Sequence, residues 1–195
     1  KWGGDVEGFV PPNGVMVPRG SDGYMSSYDV MPGKYNVTLT YGDYTKTSDF
    51  IIMPDPRKSI SQDDYNKKHQ LLRNIHDDVE SIYNSLQKMQ DVRSQLNDLQ
   101  NRLSSDFNSI KNLSNETVEL IDLTESKLIS PKQKTFQDVI NFRNQLDAQF
   151  LDLLNTVNGN IPPLTNGELQ RFDDLHLSWM EIKKSYDKVL ENVKS

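Results

Sequence analysis

Residues 71–90, LLRNIHDDVESIYNSLQKMQ, set Leu72, Ile75, Val79, Ile82, Leu86 and Met89 at spacings that alternate between three and four. That is the heptad rhythm of a helix that buries one stripe and wets the rest. Upstream, Ser61 followed by Asp64 reads as a helix start of the capping-box type, with a carboxylate in place of the usual Glu or Gln. Downstream, the seam shifts phase at Val92 and resumes at Leu96, Leu99 and Leu103. An unbroken helix of about forty residues would span roughly 60 Å.

Three shorter helices are predicted beyond it. One starts near Ser114, carries Val118, Ile121, Glu125 and Leu128 at helical spacing, and ends at Ser130-Pro131. Residues 104–113 stay open between helix and loop, since Phe107 and Ile110 suit either neighbour. A third helix is expected from about Thr135 to Asn158, burying Phe136, Val139, Ile140, Phe142, Leu146, Phe150, Leu153 and Val157, with Gly159 as its C′ residue. A fourth, capped by Thr165, turns Leu169, Phe172, Leu175, Trp179, Ile182, Tyr186, Val189 and Leu190 inward. Short connections predict up-and-down packing, with part of the long first helix projecting or docking on the hairpin module of residues 1–56.

Residues 1–56 are different in kind. Pro11, Pro12, Pro18, Pro32, Pro54 and Pro56 all lie there, against Pro131, Pro162 and Pro163 later. Tyr35, Val37, Leu39 and Tyr41 alternate with Asn36, Thr38 and Thr40, a period of two in strong strand formers. Gly42-Asp43 fits a two-residue hairpin turn, with positive φ at its first position. The return strand runs from Tyr44 to Met53, with Phe50 and Ile52 on one face, and Pro54-Asp55-Pro56 stops it. Further short strands are expected around Trp2 and Gly14–Val17. Two strands do not make a stable sheet alone, so partner strands are expected upstream, in a longer chain of which Lys1-Trp2-Gly3-Gly4 would be an interior point. The division is 1–56, a partial β element with a loop-rich insertion, and 57–195, a helical bundle.

Bulk chemistry narrows the function classes. The net charge of −6 disfavours nucleic acid, whose phosphates need a Lys/Arg excess. No basic run marks a membrane surface, and no apolar run reaches spanning length. The absence of cysteine removes disulfides, thiolate catalysis and Cys-based zinc sites. Mean hydropathy of −0.69 suits elongated helices better than a compact globule.

The order of motifs carries a resemblance. Residues 32–39, PGKYNVTL, are similar to the P-G-x-Y-x-V-x-L strand of an immunoglobulin-like sandwich. Residues 50–57, FIIMPDPR, resemble the F-x-V-x-x-D-P-R exit strand of one bacterial family, and residues 136–142, FQDVINF, its Q-D-V-L-N-F stretch. Together they resemble the C-terminal region of exported bacterial proteins with sortilin-type or BNR-repeat β-propellers, often called glycosyl-hydrolase-like. The resemblance implies export, attachment to an upstream propeller and sandwich strands, and a non-catalytic role for this region. The fold expected is therefore mainly α: an antiparallel helical bundle preceded by a small β-hairpin element of an incomplete immunoglobulin-like sandwich.

No catalytic, metal or cofactor site stands out. Glycoside hydrolysis needs two carboxylates across a cleft, whereas Asp63, Asp64, Asp77, Asp78, Asp173 and Asp174 read mostly as solvated helix faces. His69 and His76 are two turns apart, too far along a helix to share one metal easily, and Asp173 with His176 is the better-spaced pair. Asp22 in the Gly20–Tyr24 loop lacks the fuller calcium pattern. Trp2, Tyr24 and Tyr28 are the candidate sugar-stacking rings, weighed against ordinary packing. The leading expectation is an accessory module that braces or spaces the propeller and offers a protein-interaction surface. Two others stand beside it: a self-associating coiled coil giving a homodimer, and a glycan-binding module.

Overall fold

The computed structural model describes residues 28–104, 106–133, 138 and 140–194. The chain is mainly helical, with one small antiparallel hairpin ahead of four helices: β1 (Gly33–Tyr41), β2 (Tyr44–Ile52), α1 (Gln62–Arg102), α2 (Asn108–Leu128), α3 (Leu146–Gly159) and α4 (Asn166–Lys194). The strands expected near Trp2 and Gly14–Val17 lie outside the described residues, as does Asp22.

The start of α1 follows from its cap. The Asp64 N–H donates to Ser61 Oγ at 3.1 Å, and Ser61 Oγ donates back to Asp64 Oδ2 at 2.6 Å. From there the seam is buried as its spacing requires: Leu72, Ile75, Val79, Ile82 and Leu86 are fully enclosed, and Met89 nearly so. The seam then opens. Val92 is half-buried and Leu99 is 40% exposed.

The path of the chain explains the length of α1. Gln100 of α1 reaches Asn115, and Gln90 reaches Glu125, so α2 runs antiparallel to the C-terminal half of α1. Lys68 meets Asn158, and Tyr83 meets Asp147, so α3 runs antiparallel to the N-terminal half. Thus α2 and α3 run in the same direction, one after the other down α1. The α4 helix returns parallel to α1, with His176 beside Asp78 and Val193 near Leu96. The bundle has three helices in cross-section, not four alternating ones. α1 does not project, because two helices share its length, and its N-terminal half meets the 1–56 region at Tyr28, whose ring lies edge-on to His69 and His76.

Other boundaries also move. α2 begins at Asn108, not near Ser114, so Phe107 is its N-cap residue, Ile110 lies in its first turn and Ser114 is buried within it. Ser114 offers a cap sequence, but the helix extends past it because Ile110 and Leu113 continue the apolar face toward α1. α3 begins only at Leu146. Phe136 and Val139 lie outside the described residues. Ile140, expected in the core, is 85% exposed, and Phe142 is half-buried in a turn. Gly159 closes the last turn of α3 without positive φ, so it is not a left-handed C′ residue. Leu169 is 43% exposed, because α4 turns Leu175, Trp179, Tyr186 and Val189 inward instead.

Capping at α4 is complete. Thr165 Oγ1 accepts from the Glu168 N–H at 3.2 Å, and Glu168 Oε2 accepts from the Thr165 N–H at 2.7 Å. Small polar residues in the seam satisfy themselves locally, as when Thr117 and Thr124 donate to the carbonyls of Leu113 and Leu120.

Candidate functional site

The hairpin presents the least satisfied surface among the described residues. Its register pairs Tyr35 with Phe50, Val37 with Ser48, Leu39 with Lys46 and Tyr41 with Tyr44. Alternation therefore puts Tyr35, Val37, Leu39, Tyr41, Tyr44 and Phe50 on one face and Asn36, Thr38, Thr40, Thr45, Thr47 and Asp49 on the other. Gly42, at φ 55°, supplies the positive φ of the turn. The polar face closes with threonine pairs, Thr38 Oγ1 lying 2.9 Å from Thr47 Oγ1. The apolar face is left open: Val37 is 56% exposed, Leu39 63%, Tyr41 83%, Tyr44 57% and Phe50 44%. Among the described elements, β1 and β2 lie against each other and against no helix.

What holds the hairpin to the bundle lies at its base. Tyr35 Oη donates to the Met31 carbonyl at 2.6 Å, and the Tyr35 and Phe50 rings stack at 5.8 Å. Tyr28 and Met31 are buried in the helical core, and the Asp29 N–H donates to Asn158 Oδ1 at the end of α3. On the exit side, Asp55 accepts from the backbone N–H of Arg57 and from its guanidinium, at 2.8–3.2 Å. The Arg57 side chain holds the Asp55 carboxyl below its usual value, with the backbone bond adding to the effect. That bidentate lock gives the Asp55-Pro56-Arg57 motif a physical role, since it fixes the turn between β2 and α1.

Of the three candidate sugar-stacking rings, Trp2 and Tyr24 lie outside the described residues. Tyr28 is 1% exposed, with its ring edge-on to His69 at 5.5 Å and to His76 at 6.2 Å. It packs in the bundle and offers no open face.

The carboxylates separate into distinct environments. Asp63 pairs with Lys67 in solvent, and Asp64 completes the α1 cap. Asp78, expected on a solvated face, is buried, with Oδ2 2.7 Å from His176 Nδ1. Burial raises its carboxyl, and His176 opposes that rise. The partner of His176 is thus Asp78 of α1, across the helix interface, rather than Asp173 on its own helix. Spacing along the chain reveals only neighbours on one helix, so this pair was out of its reach.

Asp147, in the first turn of α3, is strongly perturbed. It is 3% exposed, and burial pushes its carboxyl up to about 7, against hydrogen bonds from the Ala148 N–H, its own N–H and the Tyr83 hydroxyl. Lys68, also buried, donates to the carbonyls of Asn158 at 2.8 Å and Asn160 at 2.7 Å, closing the C-terminal end of α3. Arg93 pairs with Asp122 and Glu125, which explains a glutamate at an inner position of α2. His76, Asp77 and Glu80 bring ligand atoms within 4.8 Å of one another on α1, a set that could touch a divalent cation from one side only. A groove of about 440 Å³ lies at the far end of the bundle, lined by Val92, Leu96, Leu99, Ile110, Leu113 and Val193 among others. No helix among the described residues is long and apolar enough to cross a membrane.

Comparison of the chain with protein-family models, curated proteins and solved structures finds no match.

Proposed function

We propose that this chain is a non-catalytic accessory module of an exported propeller-bearing protein, with the hairpin as its docking element and the helical bundle as a brace or spacer. The observation that carries the reading is the hairpin's apolar face. Five large side chains face solvent on a ribbon too small to be stable by itself, anchored at its base to a bundle that is well packed without it. The resemblance of residues 32–39 and 50–57 to the last strands of such proteins supplies the parent: upstream sandwich strands and a propeller. The bundle supports a mechanical role, because its polar groups are spent on caps and interhelical pairs. Asp78, Asp147 and Glu168 are each engaged in this way.

The test replaces Val37 and Leu39 together by Lys. In the isolated chain the bundle should unfold at an unchanged midpoint, since these side chains touch no helix. Retention of the chain by separately supplied propeller and sandwich domains should fall at least tenfold. Equal retention of the two proteins would sink the proposal, as would hydrolysis of glycosides by the isolated chain.

One observation favours a second reading, self-association. At the end of α1 the seam is not closed: Leu99, Ile110, Leu113 and Val193 are 37–49% exposed around the groove. A second copy would cover them as a coiled-coil neighbour. Sedimentation equilibrium over a wide concentration range separates the two, a constant monomer mass excluding the second.

A further inference from the structure

The two outer edges of the hairpin are not equivalent. Tyr41 and Tyr44 close a two-residue turn, so they exchange hydrogen bonds with each other, as do Leu39 with Lys46 and Val37 with Ser48 at alternate positions. The outward N–H and C=O groups are then those of Asn36, Thr38 and Thr40 on β1, and of Thr45, Thr47 and Asp49 on β2. Among the described residues neither row is paired with a third strand.

Charge distinguishes the rows. β2 carries Lys46 on the apolar face and Asp49 on the polar one. A charge on the inward face of an edge strand is a device that prevents another strand from adding there. β1 carries Lys34 at its base on the polar face and no charge from Tyr35 to Tyr41, so its apolar row Val37, Leu39, Tyr41 would continue unbroken onto a neighbour. Proline is absent from both strands, so backbone chemistry does not decide between them.

We infer that β1 is the accepting edge, and that its partner is an extended polypeptide strand with uncharged, alternately apolar side chains, which adds beside Asn36–Thr40 and continues the Val37–Leu39–Tyr41 face. This names the geometry by which the docking element proposed above engages its partner, and it rests on that reading. Strand addition draws affinity from main-chain hydrogen bonds and specificity from alternate side chains. The Lys46 side then remains the outer boundary of the enlarged sheet.

Proline substitution tests the edge cleanly. Thr38→Pro removes an outward N–H of β1 and leaves the inward bonds of Val37 and Leu39 in place, because proline is tolerated where the N–H faces away from the ladder. Thr47→Pro does the same on β2. The probe is a capped synthetic octapeptide, Lys-Thr-Val-Thr-Val-Thr-Val-Lys, added to the full 195-residue chain. Amide exchange followed by NMR should slow at least tenfold at Asn36, Thr38 and Thr40, and stay unchanged at Thr45, Thr47 and Asp49. Thr38→Pro should abolish the effect while Thr47→Pro retains it. Unchanged slow exchange at Val37 and Leu39 in both variants shows that the hairpin has survived. Protection of the β2 row, protection of neither, or full protection in Thr38→Pro would overturn the inference. If neither edge is protected while the Val37 and Leu39 double variant still loses propeller retention, the edge is wrong and the docking role stands. If β1 is protected while that variant is retained normally, the role fails and the edge stands.

Discussion

Replacing Asp147 by Asn should stabilise this protein at neutral and alkaline pH. The carboxyl is 3% exposed and is raised from 3.8 to about 7 in the fold. The folded bundle thus prefers the protonated form, while the unfolded chain ionises freely. Stability from this site is complete below the ordinary carboxylate value and is lost as the pH rises through 7. A rise of about 3 pKa units corresponds to about 4 kcal/mol once the group is ionised in both states. That is a ceiling, because Asp147 sits in the first turn of α3, where the helix dipole favours the anion by roughly 1–2 kcal/mol. Asparagine keeps an oxygen for the Ala148 N–H and carries no charge. The expected gain at pH 8 is therefore about 2–3 kcal/mol, which at a urea slope of about 2 kcal/mol per molar moves the unfolding midpoint up by roughly 1 M. At pH 5 the gain should shrink by more than half, because the native aspartic acid is then protonated. Urea titrations at both pH values, followed by helical circular dichroism, give the comparison. Identical midpoint shifts at pH 5 and pH 8, or a loss of stability at pH 8, would refute the assignment of a buried, proton-holding carboxyl.

Three further substitutions test the packing around it, each by the same urea titration. Lys68→Met removes the donor that satisfies the Asn158 and Asn160 carbonyls and should cost about 2–4 kcal/mol, while a cost under about 0.5 kcal/mol would mean that α3 ends without it. Glu168→Ala breaks the α4 capping box and should cost about 1–2 kcal/mol at pH 7. Burial pushes the Glu168 carboxyl up, but hydrogen bonds from Asn160 and Thr165 outweigh it and hold it below its usual 4.5, so the wild-type advantage should be present above that value and disappear as the pH falls below it. Trp179→Ala empties a 1%-exposed site between α4 and the rest of the bundle and should cost about 3–5 kcal/mol, with a smaller loss if neighbouring side chains collapse into the space.

The elements themselves were legible in the sequence because local physics sets them. A three-four apolar rhythm with a Ser61–Asp64 cap makes a long helix wherever it lies. Strict alternation from Tyr35 to Tyr41 before Gly42-Asp43 makes a hairpin whose register follows from its turn. The open apolar face of that hairpin could be read the same way, since alternation says which side chains share a face. What alternation omits is whether anything covers them, and that depends on segments distant in sequence. Tertiary structure alone decided that α2 and α3 share the length of α1 in one direction, because the path between two helices is set by what their ends meet. Asn115 and Glu125 meet the C-terminal half of α1, and Asp147 and Asn158 meet the N-terminal half. The late start of α3 and the exposure of Ile140 have the same origin: apolar spacing allows a helix there, but a helix persists only where a neighbour buries its stripe. The pairing of Asp78 with His176 and the burial of Asp147 against Tyr83 were likewise beyond the sequence. Residues far apart in the chain came into contact, and their charge states were fixed by that contact.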